Sequence, residues 1–519
     1  MSDERTAPEA DFAEPFLLAV LASGGLDAEY VRGAGNTLYR RGEDGEEIPV
    51  LDYVGGYGSL MLGHSNPEII AYAKTLLDEQ TPVHAQFSRH PYAGDVAAAL
   101  NRIIQRERGD DEQYYAIFAN SGAEAVEAAM KHAELDRVLR LTELTEEITR
   151  HIEDVREQVA AGAATVPAHL ADSIDDLVAE VRAGNETRSA RSPLFLTPEG
   201  AFHGKLAGSV QLTHNEGYRL PFKALAAQAR FVPRDQPGAL RKIIDEERSH
   251  LLDLVVENGR VRVVEREAPL FTAFVLEPVQ GEGGIHELSR EFAQEVQQVC
   301  AERGIPVVVD EIQSGMGRTG SFLAATHLGL RGDYYTLAKS LGGGIAKAAV
   351  TLVRKPLYRG QFELAHSSTF AKDSFSCRIA LKVLEIMEAD DGAVYRRAAE
   401  RGERLLTMLR AVRADFPGVV RDVRGRGLML GLELHDQSAA EAEPLRQVAQ
   451  SGFFGYFVAG HMLRAHRIRV FPTSSAVNTL RFEPSVYLTD GEIDRLEAAL
   501  RDVCAIIRDT DGRALAPVA

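Results

Sequence analysis

Lysine is scarce in this chain. Only ten of its 58 lysine and arginine residues are lysine, and no Lys/Arg-rich run occurs anywhere. With a formal net charge of −18, this excludes the basic surface that nucleic-acid binding requires. Cysteine is scarcer still. Cys300, Cys377 and Cys504 stand far apart, with no CxxC pair and no Cys/His cluster, so neither a disulfide frame nor a metal site is expected. No stretch approaches the ~18 apolar residues of a membrane helix. The first residues are acidic and polar, and the apolar piece from Phe16 to Ala22 is too short and wrongly flanked for a signal peptide. A cytoplasmic protein with free thiols and no membrane partner is the expectation. Internal repeats and low-complexity segments are missing as well. What remains is ordinary globular composition, 45% hydrophobic and 26% charged over 519 residues, enough for two or three lobes.

Scarcity makes one lysine conspicuous. Lys339 lies in Ala-Lys-Ser-Leu-Gly-Gly-Gly, directly after the apolar stretch Tyr334-Tyr335-Thr336-Leu337. Arginine cannot replace a lysine that must lose a proton and attack a carbonyl. Upstream, Val307-Val308-Val309 ends in Asp310-Glu311, the pattern of a buried strand that delivers a carboxylate at its tip. A strand-end Lys and a strand-end Asp are what pyridoxal phosphate (PLP) needs most: one to form the Schiff base, the other to keep the pyridine nitrogen protonated.

The surrounding pattern predicts where these tips meet. Short strands are expected at Thr37–Arg40 and Val50–Tyr53. From about Pro67 strands alternate with helices: Tyr115–Phe118, Leu194–Thr197, Thr272–Leu276, Val307–Val309, Tyr334–Thr336 and Val350–Val353, with helices such as Arg290–Arg303 between. That alternation predicts an α/β fold with a mainly parallel sheet covered on both faces, and ligands at its C-terminal strand edges. We expect residues 67–365 to form this large domain. Residues 366–519 should form a smaller α+β domain, opened by a long helix from Ser376 and joined by the segment 1–66. From about Ala133 to Arg191 the chain is charged and helical. Leu141, Leu144, Ile148, Ile152, Val155 and Val159 recur at spacings of three and four; Gly162 and Pro167 break the run before Leu170, Ile174, Leu177 and Val181 resume it. This predicts a helical-hairpin insertion in the large domain.

Several strings carry further chemistry. Asn120-Ser121-Gly122-Ala123-Glu124 follows a strand and opens a helix, whose first N–H groups suit a phosphate dianion; Ser with Glu three residues later also reads as an ordinary capping box. Phe202 in Ala201-Phe202-His203-Gly204 could stack on a pyridine ring or fill a turn. Leu276-Glu277-Pro278 leads into a glycine-rich loop with two acids, Glu277 and Glu282, which are either solvated or, for one of them beside an Arg, a switchable ion-pair partner. Asp310-Glu311-Ile312-Gln313, with its glycine-rich continuation, is the most specific string of all.

With Leu51-Asp52-Tyr53, Leu62-Gly63-His64, His366-Ser367-Ser368-Thr369 and Leu480-Arg481-Phe482, these strings make the chain resemble the class III aminotransferases. Those are fold type I PLP enzymes that include ornithine, acetylornithine and 4-aminobutyrate aminotransferases. The resemblance runs from about Val31 to Val503, interrupted by the 133–191 insertion. It implies the following roles. Lys339 is the Schiff-base lysine and proton shuttle, Asp310 pairs with the pyridine N–H, and Gln313 lies near the ring's phenolate oxygen. Phe202 stacks on the ring, while Ser121, Gly122 and Ala123 hold the phosphate. Thr369 reaches that phosphate from the neighbouring subunit of a homodimer. Arg481 binds an α-carboxylate, Glu282 pairs with it when none is present, and Tyr57 contacts substrate.

Departures from the family pattern are Lys205, where an Arg is usual, Asn66, where a second His is usual, and Phe370-Ala371-Lys372-Asp373 in place of Tyr-Gly-Gly-Asn. A lysine cannot make a bidentate carboxylate fork. The insertion is foreign to the basic metabolic members, and larger relatives that tailor natural products vary in such regions. The expected reaction is transamination between an amino-acid donor, the glutamate/2-oxoglutarate pair, and an aldehyde or keto acceptor. A PLP-dependent epimerase on the same fold is the alternative.

Overall fold

Strand-forming residues gather where the hydrophobic runs are continuous. A computed structural model describes residues 13–42, 44–84, 88–89, 91–509 and 512–515. Of the loose arm and short helix that the sequence predicts over residues 1–25, residues 1–12 lie outside these, and the helix is Pro15–Ser23. The central feature is a seven-stranded sheet. Its order is Tyr114–Ala119, Ala349–Arg354, Tyr334–Leu337, Val307–Asp310, Phe271–Leu276, Leu194–Pro198, Ala229–Val232. The last five run parallel to one another, and Ala349–Arg354 is antiparallel to both neighbours. All residues of Phe271–Leu276, Val307–Asp310 and Tyr334–Leu337 are buried, as strands covered on both faces must be. Each fully buried Val, Leu or Phe contributes about 1.5–3 kcal/mol, so the middle of the sheet is its firmest part.

Two smaller sheets flank it. One pairs Tyr30–Ala34, Thr37–Arg41 and Glu47–Asp52 with the distant Ile468–Arg469, in the register Leu51↔Ile468 and Asp52↔Arg469. Buried Asp52 fixes that junction by accepting from Arg469 Nη1 and from the Val54 N–H, and by pairing with His64 Nε2 at 2.9 Å. The other sheet, Val420–Arg426, Met429–Leu434, Thr479–Phe482 and Phe471–Pro472, packs on the long helix Ser374–Asp415. That helix kinks at Ala389–Gly392, where the backbone leaves helical angles. Among the described residues no helix is long and apolar enough to cross a membrane.

The insertion differs from the expected hairpin in its surroundings. Its first helix is the second half of one continuous helix, Gly122–Ala160, and its second is Ile174–Ser189. Both pack on a β-hairpin that the sequence reading missed, Ser249–Glu257 with Arg260–Ala268. Ile148, Ile152, Val155, Leu177, Val178 and Val181 meet Leu251, Leu254 and Val261 in a core separate from that of the sheet. Asp253, fully buried at the rim of this core, is held by His151 Nδ1 at 2.8 Å and Arg266 Nη1 at 3.0 Å. The hairpin escaped detection because its strands mix charged and apolar residues on both faces and begin 60 residues beyond the nearer helix they cover.

A separate core implies separate stability. Leu254→Ala should cost this unit about 2–5 kcal/mol. Hydrogen exchange should then accelerate across 148–181 and 251–263 while amides of Val307–Asp310 keep their protection. Uniform loss of protection would show that the insertion and the sheet unfold together.

Candidate active site

The tips of two adjacent parallel strands define the site. Asp310 ends Val307–Asp310, and in the register of the sheet it lies opposite Thr336 of Tyr334–Leu337. Two residues beyond that strand's last position comes Lys339. Its backbone stands in the left-handed region, φ 51°, which costs a non-glycine residue of order 1 kcal/mol and is found most often where function fixes a side chain. The chain crosses the sheet edge there in a short turn of 3₁₀ helix, Lys339–Gly342, and Ser340 Oγ secures it by donating to the Gly58 carbonyl at 3.0 Å.

Asp310 is buried and held by three donors. Its Oδ1 accepts from Thr336 Oγ1 and from the Ile312 N–H, both at 3.1 Å, and its Oδ2 lies 2.8 Å from His203 Nδ1. Burial alone would lower the pKa of His203; the Asp310 carboxylate outweighs it and raises it. His203 was part of a motif in the sequence, yet its role was invisible there, since the pairing spans 107 residues. Beside it, Phe202 is fixed by its own N–H, which donates to Glu277 Oε1 at 2.9 Å. Glu277 also accepts from the Gly281 N–H, and burial pushes its pKa up to about 7.

Ser121 caps the helix Gly122–Ala160, its Oγ accepting from the Glu124 N–H at 3.3 Å. The cap and the phosphate-cradle readings are therefore compatible, because the cap leaves the Gly122 and Ala123 N–H groups at the helix start. Gly122 is required by packing: a Cβ there would lie 2.9 Å from Ile312 Cγ2, two residues past Asp310. Asn120 Nδ2 donates to Ser368 Oγ at 2.8 Å, bringing the segment before the exposed Thr369 to the same helix end.

On the substrate side Arg481 is 1% exposed. Its two terminal nitrogens meet the two oxygens of Glu282 at 2.5 Å each, and Nη2 also donates to the Pro472 carbonyl. Burial would raise the Glu282 pKa, but Arg481 and the Ser474 N–H more than offset this and hold it near 2. The Tyr57 ring covers the guanidinium at 5.1 Å. Glu483, which the sequence reading passed over, is fully buried beside them. Its Oε1 accepts from Gln313 Nε2 at 2.8 Å, and its Oε2 lies 3.9 Å from Arg481 Nη1 with no hydrogen-bond partner. The signal for it was one position past the recognised Leu480-Arg481-Phe482. Burial lowers the Lys339 pKa, while Glu483 and Glu282 hold it up. Lys205 lies apart from these carboxylates, its ammonium 4.0 Å from the centre of the Tyr218 ring.

These residues fit pyridoxal phosphate. A carboxylate on the floor, a partly buried lysine, a helix start cleared by glycine, and two buried polar atoms left open, Glu483 Oε2 and Arg481 Nε, match its ring, aldehyde, phosphate and substrate ends. The His203–Asp310 bond should have a measurable weight. His203→Ala should lower the stability of the cofactor-free protein by about 1.5–3 kcal/mol in urea titration, the range for a hydrogen bond to a charged group. A loss under about 0.5 kcal/mol would match an ordinary surface substitution and show the bond to be incidental.

Comparison with known proteins agrees with this geometry. The structure is similar to an ornithine aminotransferase from Toxoplasma gondii ME49, with a TM-score of 0.65, 21% identity, and 93% of this chain and 91% of that one covered. It is similar to an amine transaminase from an uncultivated Pseudomonas species, solved with PLP bound, with a TM-score of 0.67, 22% identity, and coverage of 97% and 99%. A transaminase from the marine bacterium Virgibacillus aligns with a TM-score of 0.66 at 20% identity, covering 93% of each chain. Such likenesses establish the fold. Residues 22–503 match the profile of class III aminotransferases. The chain belongs to the class III aminotransferase family, enzymes that use pyridoxal phosphate to move an amino group from a donor to a carbonyl acceptor.

Proposed function

We propose that this aminotransferase takes its amino group from L-glutamate, releasing 2-oxoglutarate, and delivers it to an aldehyde or ketone that lacks an α-carboxylate. The observation that carries this reading is the bidentate Glu282–Arg481 pair. A pocket serving two unlike substrates must satisfy Arg481 in both cases. Glutamate brings a carboxylate that can replace Glu282 on the guanidinium; an acceptor without one leaves the pair closed. Glu483, anchored by Gln313, stays beside Arg481 throughout, so the buried cation keeps a counter-charge when Glu282 withdraws.

The other roles follow from placement. PLP supplies an electron sink for the pair of electrons left when the Cα proton departs. Lys339 takes that proton and returns it, and the burial that lowers its pKa favours the neutral amine this needs. Asp310 holds the ring nitrogen's proton, and its three donors keep the carboxylate from turning away. Phe202 covers the ring face and Gln313 meets the phenolate oxygen with its second amide proton. Gly122 and Ala123, with Ser121, receive the phosphate, and Tyr57 closes the substrate side. Thr369 reaches the phosphate of a second subunit in a homodimer. Leu364 and Phe370, 95% and 64% exposed, give the apolar edge that such a partner would cover. A cytoplasmic location and a place among natural-product-tailoring members are part of this reading; the insertion and the Lys205 and Asn66 departures support the second.

The two half-reactions, followed separately by the cofactor's absorbance, test the exchange. Arg481→Ala should slow the glutamate half-reaction by at least about tenfold, 1.4 kcal/mol, and spare the aldehyde half-reaction. Glu282→Ala should do the reverse, leaving Arg481 without its bidentate partner when the aldehyde binds. Equal slowing of both half-reactions by both variants would make the pair a static bridge and remove the case for glutamate.

Subunit complementation tests the shared site. Thr369→Ala and Lys339→Ala dimers, each impaired, should regain activity when dissociated and mixed, because each hybrid contains one site with both an intact Lys339 and an intact Thr369 from the other chain. Mixtures no more active than the average of their parents would place Thr369 at its own subunit's phosphate.

A further inference from the structure

Far from the cofactor site, two helices and the C-terminal turn bring three ligand-type side chains together. His461 and His466 belong to the helix Phe454–His466, and Asp502 to the helix Asp490–Arg508. His466 Nε2 lies 2.8 Å and His461 Nε2 lies 3.3 Å from the same oxygen of Asp502, Oδ2. The imidazole planes are inclined at 66°, with centroids 5.9 Å apart. His461 Nδ1 is 3.1 Å from the Ala514 carbonyl in the turn Gly512–Ala514.

That last contact decides the chemistry of the first. A carbonyl oxygen only accepts, so Nδ1 of His461 carries the ring proton. In the neutral ring Nε2 is then a lone pair, and it faces a carboxylate oxygen across 3.3 Å. Two acceptors in that position repel unless a second ring proton or a metal ion stands between them, and either one holds the three side chains at this spacing. We propose that His461, His466 and Asp502 bind one divalent transition-metal ion of the zinc class. The three ligand atoms all lie within 4.8 Å of one another, and among the described residues no other group of His, Cys, Asp and Glu converges in this way. Ligands about 2.0–2.1 Å from a tetrahedral ion stand roughly 3.3–3.4 Å apart, which the His461–Asp502 separation already meets. His466 must open from Asp502 by about half an ångström and carry its proton on Nδ1, and the two Nε2 atoms, within 4.8 Å of each other, must settle to the same ligand spacing.

The ligand set selects the ion. Two imidazole nitrogens suit zinc, nickel, copper or cobalt, whereas calcium and magnesium take oxygen. The Nδ1–H bond to Ala514 is the outer contact that fixes a ligating histidine's tautomer and orientation. The side chain of Asp502 is 46% exposed, so water can complete the coordination. An ion here would clamp the C-terminal turn and both helices, and the first of these helices runs directly into the strand Ile468–Arg469 that pairs with Glu47–Asp52.

The test uses the full-length, tag-free holoenzyme, stripped with a chelator, exposed to zinc and desalted. Elemental analysis should find one zinc per chain in the wild type, and zinc should raise its melting temperature by several degrees. His466→Ala and Asp502→Asn should retain none and show no thermal response, while melting close to the metal-free wild type and keeping their aminotransferase activity. No retained zinc in the wild type, or equal retention in the His466→Ala/Asp502→Asn double variant, would overturn the site. The three cysteines are buried and offer no competing thiol cluster.

Discussion

A carboxylate buried at the end of a parallel strand is the constraint around which this enzyme is arranged. Asp310 is buried, so its carboxylate must be met by donors other than bulk water. One donor comes from the neighbouring strand, one from the turn that follows, and one from a histidine at the end of a third segment of the sheet. Satisfying one acid therefore fixes the relative height of the strands whose tips carry Lys339 and Phe202. The same turn leads through Ile312, packed where only glycine fits at position 122, to Gln313 and from there to Glu483 and Arg481. The cofactor side and the substrate side are thus one chain of contacts.

Six of the seven strands of the sheet were legible because they are nearly continuous apolar runs with no competing helical period; the edge strand Ala229–Val232, interrupted by Arg230, was not. Asp310, Lys339 and the helix start at Ser121 were legible for the same reason: each stands at the boundary between a run and a turn. Partners were not legible. His203, Glu277 and Glu483 act through contacts 75 to 170 residues distant in the chain, and no local pattern encodes those. The hairpin Ser249–Ala268 was missed because its strands show an apolar face only once the insertion helices are placed against it. The cluster of His461, His466 and Asp502 shows the same limit. Its two histidines are five residues apart, which is not a ligand spacing for one helical face, and only the ring of His466 at the helix end brings it alongside.

Electrostatically the site sets the Arg481 cation against Glu282 and Glu483. Such a balance is costly to bury and is weak as a stabilising device. Its value lies in exchange. Under the proposed function, a closed pair that a substrate carboxylate opens would give one pocket two states, with Glu483 beside Arg481 in both.

The central claim is that Lys339 is the residue that holds the cofactor covalently. Borohydride reduction of the holoenzyme followed by peptide mass mapping addresses it directly. The account expects a phosphopyridoxyl mass on the peptide containing Lys339, in near-stoichiometric amount, and on none of the other nine lysines. A label on another lysine, or none on any, would contradict it.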